Sequence, residues 1–179
     1  MAAKPPPRRA PGQPQVVAQS AARRAPAPTI EPAKPAAPAA RRMTAVAAQS
    51  GRPLLLDTHA LLWWLLDSPE LSAKARAAIA APEQRVLVSA ASAWELGTKY
   101  RIGKLPQAHD IVLNLVQYLR KQRFEVLPIT AEHALAAGQL PGPHRDPFDR
   151  MLMAQAQIER AQVVTVDPVF KQYGVAVVW

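Results

Sequence analysis

The chain of 179 residues, 49% of them hydrophobic, is long enough for one domain of ordinary size with a core. It contains no cysteine, which excludes a disulfide framework and thiolate metal sites and makes the reducing cytoplasm the expected compartment. Its longest strongly apolar stretch, residues 60–66, is too short to span a bilayer, so no membrane partner is expected.

The net charge of +9 is unevenly spread and draws the one boundary. Residues 1–52 hold nine Lys or Arg and a single acid, Glu31, whereas the remainder holds 13 basic and 12 acidic residues and is nearly neutral. The same stretch carries ten of the 19 prolines and no Leu, Phe, Tyr or Trp, too little apolar surface to offset the entropy of ordering it. The expectation is a disordered Pro/Ala/Arg-rich tail over 1–52 and a folded domain over 53–179. A polybasic arm can contact RNA phosphates without sequence specificity, and Arg-rich, acid-poor ends also resemble transit peptides. The plainer alternatives are a solvated extension or a start at Met43, ten residues before the first strand.

Leu54 to Leu56 read as a central strand buried on both faces, because a run so short and uniformly apolar has no solvated side. Asp57 then falls at its carboxyl end, and Thr58 is expected to cap a helix over 59–66. A second, Ala-rich helix over 72–81 is closed by Pro82. Val86 to Val88 read as another strand, followed by a helix over 89–101 that ends towards Gly103. Apolar residues at Ile111, Val112, Leu115, Val116 and Leu119 predict an amphipathic helix over 109–122. Residues 126–129 form a strand whose Pro128 suits a sheet edge, and Thr130 caps a short helix over 130–138. A helix over 147–160, a buried strand over 163–166 ending at Asp167, and a last strand over 175–178 complete the chain. This alternation predicts a mostly parallel sheet with helices on both faces.

The acids fall at corresponding places. Asp57 and Asp167 each follow an apolar strand, Glu95 sits on the helix that leaves the second strand, and Asp149, with Asp146 before it, opens the helix after Pro147. Each also has a plain structural explanation. Asp146-Pro147 is a favourable helix start with Asp149 near the positive end of the dipole, Ser92 and Glu95 fit a capping box if the helix begins late, and Asp167-Pro168 suits a turn. Convergence argues for a site, since capping acids have no reason to cluster. Clustered carboxylates repel and raise one another's pKa unless a cation intervenes, and hard Mg²⁺ or Mn²⁺ with oxygen ligands answers that need. The four histidines lack paired ligand spacing, which argues against zinc. Lys99, Arg101, Lys104, Arg145 and Arg150 lie close in sequence to the acids and are candidates for holding a nucleic-acid backbone, with ordinary surface charge as the alternative. Trp63, Trp64 and Trp94 are expected mainly to fill core.

Four segments, PLLLDTHALLWWL, VSAASAWELGTKYRIGKL, HRDPFDRMLMAQA and VVTVDPVF, in that order and spacing, resemble the PIN-domain ribonucleases, specifically the VapC toxins of bacterial type II toxin-antitoxin modules. The resemblance implies a three-layer α/β/α sandwich and an acidic Mg²⁺ or Mn²⁺ site that hydrolyses RNA. It assigns Asp57, Glu95, Asp149 and Asp167 as catalytic and metal-binding acids and Asp146 as an additional acid. Thr58 matches the hydroxyl residue after the first acid, and with Lys99, Arg145 and Arg150 it completes the candidate substrate contacts. The resemblance also implies an RNA substrate, a cognate antitoxin and a homodimer. The long basic tail departs from the family pattern. Two other classes compete: a non-catalytic PIN-like binding module, and a phosphotransfer domain, which the missing acid two residues after Asp57 and the absence of a Gly-rich phosphate loop disfavour.

Overall fold

The computed structural model describes residues 51–179. The disorder expected for the tail concerns residues that, but for the last two, lie outside the described ones. Five short strands, β1 (Leu54–Leu56), β2 (Val86–Ser89), β3 (Glu125–Leu127), β4 (Gln162–Val164) and β5 (Val177–Val178), form one wholly parallel sheet in the order β3-β2-β1-β4-β5. Between and around them run α1 (Thr58–Leu65), α2 (Ala73–Ala80), α3 (Ala90–Arg101), α4 (His109–Lys121), α5 (Ala131–Gln139), α6 (Pro147–Ile158) and the short α7 (Val169–Gln172). Among the described residues no helix is long and apolar enough to cross a membrane.

Strand alternation splits the core into two layers. Leu54, Leu56, Val86, Val88, Val164 and Val178 face one side and pack with Leu61, Leu96, Ile111 and Leu115 of α1, α3 and α4. Leu55, Leu87 and Val163 face the other, against Leu152, Met153 and Phe170. A strand covered on both faces must be apolar at every position, which is why β1 is three leucines. Full burial of each such side chain contributes about 1.5–3 kcal/mol.

The helix boundaries follow from their caps. Ser72 and Ser89 each accept a backbone N–H with the side chain, starting α2 at Ala73 and α3 at Ala90, so the late start and capping box at Ser92 do not occur. Thr130 caps α5 in a box completed by His133 rather than by an acid. α3 ends where Gly103, at φ 73°, takes the left-handed conformation and donates to the Tyr100 carbonyl. The first helix differs from expectation: Asp57 occupies the N-cap position without a side-chain cap bond, and Thr58 is already helical, its hydroxyl engaged elsewhere. β3 lies at the sheet edge but runs over Glu125–Leu127 and not 126–129: it stops before Pro128, which has no N–H to continue the ladder. β4 is shorter than its apolar run. The Thr165 side chain turns inward and accepts the Asp167 N–H, which breaks the ladder at Val164 and leaves Val166 exposed.

Candidate active site

All strands being parallel, their carboxyl ends share one edge, and the neighbouring ends of β1 and β4 make a crevice there. Leu56 pairs with Val164, so the next residues of the two strands, Asp57 and Thr165, meet. The Thr165 hydroxyl donates to Asp57 Oδ2 at 2.7 Å, and both residues are buried. On the other flank, the Ser89 cap turns β2 into α3 with Glu95 on its buried face. There the Thr58 hydroxyl donates to Glu95 Oε2 at 2.6 Å and the Lys99 ammonium, one turn on, sits 2.6 Å from Oε1. Thr58 thus ties the residue after Asp57 to the helix of Glu95.

The third group is carried by α6. Asp146 caps it, accepting from the Phe148 and Asp149 N–H groups at Oδ1 (2.8 and 3.3 Å), with Pro147 at the first helical position. Asp149 Oδ2 lies 2.8 Å from His144 Nε2, and the His144 N–H donates to the Tyr173 hydroxyl. Asp167 Oδ1 accepts the Val169 N–H at 2.8 Å. Asp57, Glu95, Asp146, Asp149 and Asp167 together line one cleft of about 580 Å³, with Lys99, His59 and Trp63 completing its walls.

Electrostatics in this cleft are unfavourable to ionised carboxylates. Burial pushes Asp57 above the usual carboxylate range, against the opposing hydrogen bond from Thr165 and the proximity of His59. Burial raises Asp149 to about 6 in spite of its bond to His144, and the charges of Asp146 and Asp57 add to the shift. A site with this excess of negative charge calls for a cation.

The donor set suits a hard one. In Asp146, Asp149 and Asp167 the hydrogen bonds run to a single carboxylate oxygen, leaving the second for a ligand. Buried Ser92 Oγ, one turn before Glu95, has no hydrogen-bond partner among the described residues. Among those residues no three acids or histidines close into a ready-made metal cage. Mg²⁺ does not require one, since it keeps several waters and takes one or two carboxylates directly. The residues present therefore fit a hydrated divalent ion.

The basic candidates separate. Lys99 lines the cleft. Arg145, Arg101 and Lys104 are exposed and do not contribute to its walls. Arg150 has a different use: its guanidinium donates to the carbonyls of Ala137, Gly138, Leu140 and His144, clasping the end of α5 and the following loop. Thr58, 1% exposed and bonded to Glu95, orients an acid and offers substrate no surface. Two residues of the site, Thr165 and His144, carry no such signal in the sequence. Thr165 is visible only through the β1–β4 register, and His144 only through its position in the loop that leads into α6.

Residues 54–176 match the PIN domain family model. The chain belongs to the PIN-domain family. Solved structures share this PIN fold. One is VapBC2 from Rickettsia felis bound to a DNA fragment from their promoter, at TM-score 0.54 and 18% identity over 69% of this chain and 96% of that one. Another is FitAcB from Neisseria gonorrhoeae, at TM-score 0.53 and 23% identity over 69% and 95%. A third is VapBC-1 from nontypeable Haemophilus influenzae, at TM-score 0.50 and 18% identity over 69% and 95%. No curated protein matches the sequence. At these identities the shared property is the PIN fold itself.

Proposed function

We propose that this PIN protein is an endoribonuclease dependent on Mg²⁺ or Mn²⁺, acting in the cytoplasm as the VapC-like toxin of a toxin-antitoxin pair. The observation that carries this reading is the convergence of Asp57, Glu95, Asp146, Asp149 and Asp167 on one cleft from four separate places in the chain. Its likeness in fold to the VapBC and FitAcB structures supports the toxin role and a cognate antitoxin as partner; a homodimer is part of the same reading. So is the division into a tail over 1–52 and a nuclease domain over 53–179.

Asp57, Glu95 and Asp149 would hold the ion, with Asp167 and Asp146 beside them. When bound, the ion supplies Lewis acidity, lowering the pKa of water and offsetting charge on the phosphate. The protein's own groups prepare the site. Thr165 and Thr58 fix the rotamers of Asp57 and Glu95, and His144 does the same for Asp149. Lys99 is the cation within the cleft able to meet a phosphate oxygen.

The test is incubation of the full chain with mixed structured RNA and Mg²⁺ or Mn²⁺, with a chelator control and Asp57→Asn alongside. Cleavage that requires the ion and is lost in the variant is expected. Metal-independent cleavage, or full activity in a folded Asp57→Asn protein, would overturn the assignment.

A further inference from the structure

Trp94 stands directly before Glu95 in the sequence, and Phe148 directly before Asp149. Helix α3 thereby reverses the ordinary pattern of burial: its glutamate is 7% exposed and the tryptophan beside it 63%. The indole meets Phe148 across the α3–α6 contact, ring centroids 4.9 Å apart at an interplanar angle of 70°, an edge-to-face pair. Phe148 is pinned in turn, since Pro147 restricts the backbone before it and its own N–H is bound by Asp146 Oδ1. A rigid aromatic step thus rises from the two helices that carry Glu95 and Asp149.

The cleft itself has little to offer a polynucleotide. Five acids face one lysine, and the basic residues nearby are turned outward or spent on carbonyls. Affinity for an RNA strand has to come from beside the acids. An exposed indole supplies it without regard to sequence, because every base has a π face and unpaired bases stack on aromatic side chains. Resting on the nuclease reading above, we propose that Trp94, backed by Phe148, is a stacking platform for an unpaired base flanking the phosphodiester held in the acidic cleft.

The test uses the full chain in the Asp149→Asn background with Mg²⁺ and a fluorescein-labelled single-stranded oligoribonucleotide of mixed sequence. By anisotropy, adding Trp94→Ala weakens binding about 5- to 100-fold, and Trp94→Phe restores most of it. The RNA quenches tryptophan emission more strongly when Trp94 is present than when Phe replaces it, Trp63 in the cleft wall supplying the quenching that remains. Unchanged affinity and quenching in Trp94→Ala would overturn the platform. So would a change in sedimentation of Trp94→Ala with RNA affinity per protomer intact, which makes Trp94 a seat for a second copy of the chain. The two readings fail separately: if wild type cuts RNA and Trp94→Ala does so with the same KM, the platform alone falls. If wild type cuts no RNA while the oligonucleotide still quenches Trp94, the nuclease assignment alone falls.

Discussion

Replacing Asp149 by Asn should make the metal-free protein more stable while abolishing its activity. Burial raises the Asp149 carboxyl from an ordinary 3.8 to about 6, so the ionised form is disfavoured in the folded state. At 1.36 kcal/mol per pH unit that shift amounts to about 3 kcal/mol at most, and solvent screening of a partly exposed group reduces it to about 1–2 kcal/mol. The direction follows from proton counts. Between pH 3.8 and 6 the folded state binds more protons than the unfolded state, so stability falls as pH rises through this window and the penalty is complete above it. Asn removes the penalty and keeps an acceptor for His144, but it forgoes about 0.5 kcal/mol of helix-dipole attraction at the start of α6. The net expectation is a gain of about 1 kcal/mol at pH 7.5, a few degrees in Tm, vanishing below pH 4. Urea unfolding in EDTA at both pH values measures it. A variant less stable than wild type at pH 7.5 would show that the carboxylate is not held against an electrostatic cost and refute the reasoning. Addition of Mg²⁺ should reverse the order by stabilising wild type more than the variant.

Thr165→Val removes the hydrogen bond that keeps the Asp57 carboxyl from rising further, so the acid limb of the pH–rate profile should move to higher pH; an unmoved limb would show that Asp57 does not govern it. Arg150→Ala strands four backbone carbonyls and should cost about 2–4 kcal/mol by urea titration; Arg150→Lys should recover little, since an ammonium lacks the planar fork. Gly142→Ala should lower activity without touching an acid. Gly142 has φ 106°, and a Cβ there would lie 2.5 Å from the Tyr173 hydroxyl that positions His144. Wild-type turnover in that variant would show the loop to be irrelevant to the site. Phe170→Ala should cost about 3–5 kcal/mol through a cavity in the layer beneath β1 and β4, measurable by the same titration.

What could be read in the sequence was local. Three-leucine β1, the Thr130 cap and the Asp146-Pro147 start each declare themselves within a few residues, and with the strand-to-helix alternation they place the acids at strand ends and helix beginnings, whereas Ser72 and Ser89 read as helical residues and act as caps. What could not be read depends on register. The Thr165–Asp57 bond joins residues 108 apart and the Thr58–Glu95 bond residues 37 apart, and neither pairing exists until β1 lies between β2 and β4. Thr58 differs from its expected role for the same reason: in isolation a threonine before an apolar helix looks like a cap, and only the packing of α3 gives its hydroxyl a better acceptor. The Lys99–Glu95 pair was accessible, being four residues apart on one helix, yet proximity in sequence alone could not separate Lys99 from Arg150. Their different fates are decided by the loop that the Arg150 guanidinium encloses.

That clasp bears on the order in which the site is assembled. Its four bonds span only 6 to 13 residues, and α5 packs directly on α6, so this hairpin closes short loops and can form before the sheet has its register. Asp146, Asp149 and His144 travel with it, His144 still without the Tyr173 hydroxyl that holds it in the folded protein. The other half, Asp57 with Thr165 and Glu95 with Thr58, exists only once β1 has been inserted between strands from distant parts of the chain. A molecule in which only this hairpin has formed sets Asp149 against Asp146 alone, and the further repulsion from Asp57 is added when β1 takes its place in the sheet.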